Sequence, residues 1–301
     1  MSASPPTSKK SLKKRWKDLW FKIDNRMWRI RTTVMCKLRY MLALFRNGFT
    51  FRTILIYPQK PESLHAIYII CHTLGIRITT NPKARFDAAI RFEDTTLGKD
   101  YPILNDIEKT MPVINIKCVD IGKERVEKIF KEVFDYGMEI DPRAHTGEYV
   151  RKSNDNAAHD GKVIQCPAEP EAGFIYQKLI NNQIGDQVVD MRLSIFKDTI
   201  AAVFYRYKSI HDRFNITTLV TLENVEKVIS PEEYAATIRF CKAYGLDCGD
   251  LDVLRDKEDG KLYIVDVNNT PYAHRVRKVM TRQEYESFLK SVSASFDNAF
   301  M

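Results

Sequence analysis

The feature that most narrows the fold lies near the C-terminal end, where acids sit inside runs that otherwise read as core. Asp250-Leu-Asp-Val-Leu254 and Leu262-Tyr-Ile-Val-Asp-Val267 are both β-rich, and the Asp256-Lys-Glu-Asp-Gly260 turn between them marks a hairpin. Side chains two apart on a strand share a face, so Asp266 and Asn268 project together, while Leu251 and Val253 point away from Asp252. A solvated hairpin accounts for Asp256, Glu258 and Asp259, but fits poorly an acid surrounded by Ile264, Val265 and Val267. If Asp252 shares the face of Asp266 and Asn268, two carboxylates and an amide oxygen converge. Such a set of hard oxygen ligands suits Mg²⁺ bridged to substrate phosphates.

Charge divides the chain unevenly. Residues 1–52 hold 14 Lys and Arg against two acids, Asp18 and Asp24, a net of +12. The remaining 249 residues hold 33 basic and 37 acidic side chains, a net of −4, so the overall +8 belongs to the leader. A nucleic-acid enzyme would carry its positive footprint on the body, and no nucleic-acid partner is expected. Within the leader, Trp16, Leu19, Trp20, Ile23, Met27 and Ile30 recur at spacings of three and four, which predicts an amphipathic helix over about 11–46. It reads either as an element lying on an anionic membrane surface or as a helix docked on the body or a partner. No stretch reaches the length of a membrane span. The six cysteines form no CxxC pair and read as reduced thiols, which points to the cytoplasm, with the inner face of a membrane as a further placement through the leader.

The pattern predicts an α/β (α+β) chain of three parts: a basic helical extension over 1–50, a small preceding α/β domain over 51–115 and a larger domain over 116–290. In the small part, strands at Arg52–Tyr57, Ile76–Thr79 and Phe86–Phe92 surround a helical pattern from Pro61 to Leu74. No GxGxxG follows the first strand, which argues against a dinucleotide-binding unit. Farther on come a charged helix from Lys123, β-type alternation from Glu148 to Phe204, and a helix from Ser230 to Tyr244 with Pro231 and Glu233 at capping positions. A last helix is expected over Thr281–Ser291. Lys152 closes a short strand and leads into the polar loop Ser153-Asn-Asp-Asn-Ala-Ala-His-Asp-Gly161, where a lysine can meet phosphate, although an ordinary surface lysine would look the same.

The order of these parts resembles the ATP-grasp superfamily. Lys152, a mobile loop, Gln177-Lys-Leu-Ile180, the Asp190-Met-Arg192 strand and a late helix precede Gly249-Asp-Leu-Asp252 and Asp266-Val-Asn-Asn-Thr-Pro271, whose acid-x-Asn ending is similar to that of glutathione-synthetase-like and glutamate-ligating members. The likeness spans about 119–275, with an Asn-rich rather than Gly-rich loop and a short preceding domain as departures. It implies an ATP-grasp fold and the use of ATP and Mg²⁺ by a ligase that activates a carboxylate, free or carrier-bound, as an acylphosphate for attack by an amine. It further implies that Lys152 and Lys123 contact phosphates, that Gln177, Lys178, Leu179 and Ile180 receive adenine, and that Asp252, Asp266 and Asn268 hold magnesium. Arg192, Arg206, Asn215 and Arg255 become candidates for γ-phosphate or acceptor-carboxylate contacts. A phosphotransferase acting on a hydroxyl, or a non-catalytic tethering module, would share these parts. His145, His159, His211 and His274 lack zinc-site spacing; His159 near the loop and His274 beyond Pro271 are the two that could face ligands. The oligomeric state stays open.

Overall fold

The computed structural model describes residues 9–156, 158, 160–214, 217–273 and 280–301, with side chains from residue 26 onward. Trp16, Trp20, His159, Asn215 and His274 therefore lie outside the residues, or the side chains, that are described.

Helix α1 (Lys9–Arg46) is followed by β1 (Arg52–Pro58), α2 (Ala66–Leu74), β2 (Ile76–Thr79), β3 (Ala88–Phe92), α3 (Pro102–Glu108) and β4 (Val113–Ile114). The four strands form a parallel sheet in the order β2-β1-β3-β4. Ile54, Leu55 and Ile56 are all buried, as a parallel strand covered on both faces requires. The expected helix over 61–74 begins later, at Ala66, because Pro61–His65 turns to meet the segment after β13, described below. Neither α3 nor β4 was expected, since Ile103-Leu104 and Val113-Ile114 are too short to show a period.

Helix α4 (Lys123–Phe134) leads into two antiparallel sheets. The smaller, in the order β6-β5-β7, contains β5 (Gly147–Ser153), β6 (Lys162–Cys166) and β7 (Phe174–Lys178). The larger runs β11-β10-β9-β12-β13, made of β9 (Gln187–Phe196), β10 (Thr199–Ser209), β11 (Thr217–Glu223), β12 (Cys248–Arg255) and β13 (Leu262–Asn268), with β8 (Gln183–Ile184) beside β9. Between β11 and β12 lie α5 (Val225–Val228) and α6 (Pro231–Tyr244). The second starts where the sequence predicts: Ser230 accepts from Glu233 N–H while the Glu233 side chain returns to the Ser230 backbone. Helix α7 (Arg282–Phe300) outruns its expected end because Val292 and Phe296 are buried on the body, which overrides the weak propensity of Ser291-Val-Ser-Ala-Ser295.

The two faces of the large sheet differ, and this difference makes the site. One face is apolar over most of its extent: Leu193, Ile195, Val203, Leu251, Val253 and Ile264 pack with Phe130 of α4 and Phe240 of α6. The other begins apolar, with Phe196, Ala202 and Phe204 against Phe288, Leu289 and Val292 of α7. Each such Phe, Leu, Ile or Val side chain contributes roughly 1.5–3 kcal/mol on burial. Farther along the same strands that face turns charged, with Asp190 and Arg192 on β9, Arg206 and Lys208 on β10, and Asp250 and Asp252 on β12.

Helix α1 is docked on the body through its C-terminal half. Thr32, Cys36, Ala43 and Leu44 are buried, Cys36 within the core shared by α2 and α7. Arg39 pairs with Glu286 of α7, and Arg29 lies 3.1 Å from Glu62. Among the described residues no two of the six cysteines form a disulfide, and five of them are buried.

Candidate active site

Strand register brings the acids together. On β12 and β13, Asp252 stands opposite Asp266 and Asp250 opposite Asn268, with a register shift just beyond, between Asp252 and Val253. On the other side of β12, Asp252 faces Arg192 and Asp250 faces Ser194. Gly249 permits the close approach of β12 to β13, since a Cβ there would lie 2.4 Å from the Asn268 carbonyl oxygen. Beyond Asn268 the chain is strapped to the N-terminal layer. Thr270 N–H donates to Asn268 Oδ1 at 2.9 Å, Ala66 N–H to the Pro271 carbonyl at 2.8 Å, and the His65 and Tyr272 rings lie 4.0 Å apart.

The two facing aspartates sit in opposite electrostatic settings. Arg192 donates from Nε to Asp252 Oδ1 at 2.8 Å and from Nη2 to Oδ2 at 3.1 Å, a two-pronged contact, and Arg206 reaches Oδ2 at 2.7 Å. Although burial opposes it, these guanidiniums hold the Asp252 carboxyl well below the usual range. Among the described residues Asp266 has no such partner, and its buried Oδ1 accepts no hydrogen bond. Burial, and then the charge of Asp252, push Asp266 up to about 6, against the weaker pull of Lys123, Lys152 and Arg192. Burial also raises Asp250, which accepts from Ser194 Oγ at 2.9 Å.

Two lysines approach from the other side of the cleft. Lys152 on β5 donates to the Val265 carbonyl at 3.4 Å, and burial lowers its pKa to about 8 although Asp266 attracts its charge. Lys123, at the start of α4, donates from Nζ to the Asp155 carbonyl. Among the described residues neither lysine forms an ion pair with a carboxylate. Gln177 is buried, with its side chain donating to Glu127 at 2.7 Å; Glu127 also accepts from the N–H groups of Met138 and Glu139 at 2.6 and 3.0 Å. The strand leading into Leu179 and Ile180 is thereby fixed against α4. An open groove of about 570 Å³ runs along this edge, lined by Glu127, Ile175 and Gln177; neither Asp252 nor Asp266 lines it.

The structure thus brings together Lys123, Lys152, Arg192, Arg206, Asp252 and Asp266, with Asn268 at the end of the same strand. Two other expected residues direct their side chains elsewhere. Arg255 binds Glu233 of α6 at 2.7 and 2.9 Å and the Val228 carbonyl at 3.0 Å, so it braces the helix layer and does not join the carboxylates. The Lys178 side chain turns to Asp256, Asp259 and Tyr263 at 3.0, 3.2 and 2.8 Å, leaving its backbone as the part beside Leu179. Asn215 lies outside the described residues. Asp190, Lys208, Ser194 and Asp250 were not singled out from sequence as site residues, although each lies two residues from a charged neighbour that shares its face. Lys208 pairs with Asp190, which also accepts from Asn182 at 3.0 Å.

A divalent cation suits this set on chemical grounds. Among the described residues no three His, Cys, Asp or Glu side chains gather into a ready cage. The donors are two carboxylates and an amide oxygen, and one buried carboxylate oxygen lacks a partner. Magnesium is commonly held by one or two carboxylates and completed by substrate phosphates and water.

No family model matches the chain, and a search of curated proteins finds no match. Among solved structures, it is similar to the ATP-grasp ligase PsnB complexed with a minimal precursor, at 12% identity over 83% of this chain and 99% of that one, with a TM-score of 0.52. It is also aligned with D-alanine–D-alanine ligase from Bacillus anthracis complexed with ATP, at 12% identity over 83% and 96% of the two chains and a TM-score of 0.49. At this identity the first likeness speaks to the fold: the chain has the ATP-grasp fold, with mixed α/β architecture.

Proposed function

We propose that this chain is an ATP- and magnesium-dependent ligase, which activates a carboxylate as an acylphosphate for attack by an amine or similar nucleophile. The observation that carries the reading is a pair of unmet charges in one cleft. Among the described residues Lys152 is a partly buried cation that pairs with no carboxylate, and Asp266 is a carboxylate with a buried oxygen that accepts no hydrogen bond. Isolated charges are costly to bury, and such a pair is relieved when a polyphosphate and a divalent cation enter together.

In this reading Lys152 and Lys123 hold the inner phosphates, while the backbone of Gln177–Ile180 receives adenine. Asp252, Asp266 and Asn268 would hold Mg²⁺, which supplies charge neutralisation to the phosphate oxygens. Arg192 and Arg206, oriented by Asp252, present guanidinium edges to the terminal phosphate and the acceptor carboxylate. A carboxylate oxygen attacks the γ-phosphorus and ADP leaves. The amine then attacks the acyl carbon, loses a proton and displaces phosphate.

The test is a screen of free and peptide-borne carboxylates paired with amines, for ADP release that depends on both, followed by mass analysis. A product heavier by the amine minus water supports the ligase. A stable phosphoester on a hydroxyl would replace it with a phosphotransferase, and absence of ATP binding in the presence of Mg²⁺ would reduce the fold to a tethering role.

A further inference from the structure

Helix α1 carries two apolar faces, of which the body covers one. Cys36, Ala43 and Leu44 point into the body. On the opposite side Met27, Ile30, Val34, Leu38, Met41 and Phe45 are between 51% and 75% exposed. At about 3.6 residues per turn Phe45 lies five turns from Met27 at the same azimuth, and the others fall within about 60° of that line. The stripe is therefore continuous for about 27 Å. Leu42 widens it, and Phe49 and Phe51, both more than half exposed, extend it past the helix end. Monomeric surfaces seldom present so long an apolar run without an occupant.

Charge identifies the occupant. Arg26, Arg31, Lys37 and Arg46 are exposed beside the stripe, and no carboxylate pairs with them among the described residues. No Asp or Glu occurs anywhere from 25 to 46, and seven more Lys and Arg lie between 9 and 22. A second copy would bring two strongly positive helices together. An anionic surface neutralises them while it takes up the apolar stripe. No described helix is long and apolar enough to cross a bilayer, so the contact would be parallel to the surface.

We infer that the outward face of α1 is a docking surface for an anionic lipid bilayer. Because the inward face stays packed on α2 and α7, docking leaves the fold intact and holds the body in one orientation to the lipid. The inference is independent of the proposed ligase chemistry.

The experiment is co-sedimentation of the full chain with vesicles of phosphatidylcholine containing phosphatidylglycerol, and with phosphatidylcholine alone. The parent protein is compared with the triple variant Leu38→Gln, Met41→Gln, Phe45→Gln, whose melting temperature should match the parent because all three side chains are exposed. Binding to the anionic vesicles should fall by at least about tenfold in the variant, and by a similar factor on neutral vesicles or in high salt. Failure of the parent to sediment with anionic vesicles overturns the inference, as does binding that the variant leaves unchanged. Light scattering that shows a parent dimer lost in the variant, without vesicle binding, would assign the stripe to a second copy instead.

Discussion

Asp252 and Asp266 face each other across two neighbouring antiparallel strands, yet their surroundings drive their ionisation in opposite directions. Two guanidiniums hold the first as a carboxylate, while burial and the charge of the first resist ionisation of the second. The folded protein thus maintains one neutralised acid beside one unneutralised acid, an arrangement that costs stability until a cation arrives.

That cost can be measured. The Asp266 carboxyl titrates near 6 in the folded chain and near 4 when unfolded, so the folded state binds the extra proton between these values. Stability is then fully present below about pH 4 and lost as pH rises through 6, by about 2–3 kcal/mol at most. Asp266→Asn should melt above the parent at pH 8, with the gap closing toward pH 4, and should lose about a hundredfold in Mg-dependent turnover. Equal melting temperatures at both pH values would contradict the description of Asp266.

Lys152→Ala should weaken ATP by about 2 kcal/mol, roughly thirtyfold, with little effect on adenosine. The parent offers a second readout. Its free ammonium loses its proton near pH 8, and bound phosphates raise that value. ATP affinity should hold steady below pH 8 and decline above it, with proton uptake on binding at pH 8 to 9. Calorimetry in buffers of different ionisation enthalpy detects the uptake, and its absence would remove Lys152 from the phosphate site.

Arg255→Met separates bracing from ligand contact. Because the pair with Glu233 is partly solvated, its loss should cost only about 1 kcal/mol of stability. ATP affinity and turnover should stay within about twofold once the protein is folded. A selective loss of turnover with unchanged melting would return Arg255 to the reacting centre.

Gly249→Ala places a methyl against the Asn268 carbonyl, and the strands must part to admit it. A cost of about 1–3 kcal/mol is expected. Magnesium affinity, read by calorimetry with a non-hydrolysable ATP analogue, should fall as well, whereas adenosine affinity should not.

What the sequence revealed and what it hid follow from period and distance. Acids embedded in alternating strands exposed Asp252, Asp266 and Asn268, and the capping box marked the start of α6 to the residue. Arg255 misled because it, too, is a charge at the end of a site strand, and only the packing of α6 shows that Glu233 takes it. Lys178 was expected for its backbone beside Leu179, and only the packing of the hairpin shows where its side chain goes. Lys208 and Asp250 remained hidden since a charged residue on an alternating strand looks like a solvated face until the fold shows which side α7 leaves bare. The leader offered a choice between two occupants of one apolar face; the structure instead has two such faces, which summed hydrophobic periodicity does not separate.

Lys178 has a mechanical consequence. It leaves the small sheet and fastens to the β12–β13 hairpin at three points, while its own N–H is tied to the Met138 carbonyl. Farther along the same sheet Lys152 makes a single long contact with that hairpin. A plate riveted at one corner swings about the rivet, so the gap beside Leu179 would stay nearly constant while the gap beside Lys152 opens and shuts. Under the nucleotide placement proposed above, the nucleoside end would meet a fixed geometry before the phosphate end is clamped, and discrimination among bases would be uncoupled in time from commitment to the reaction.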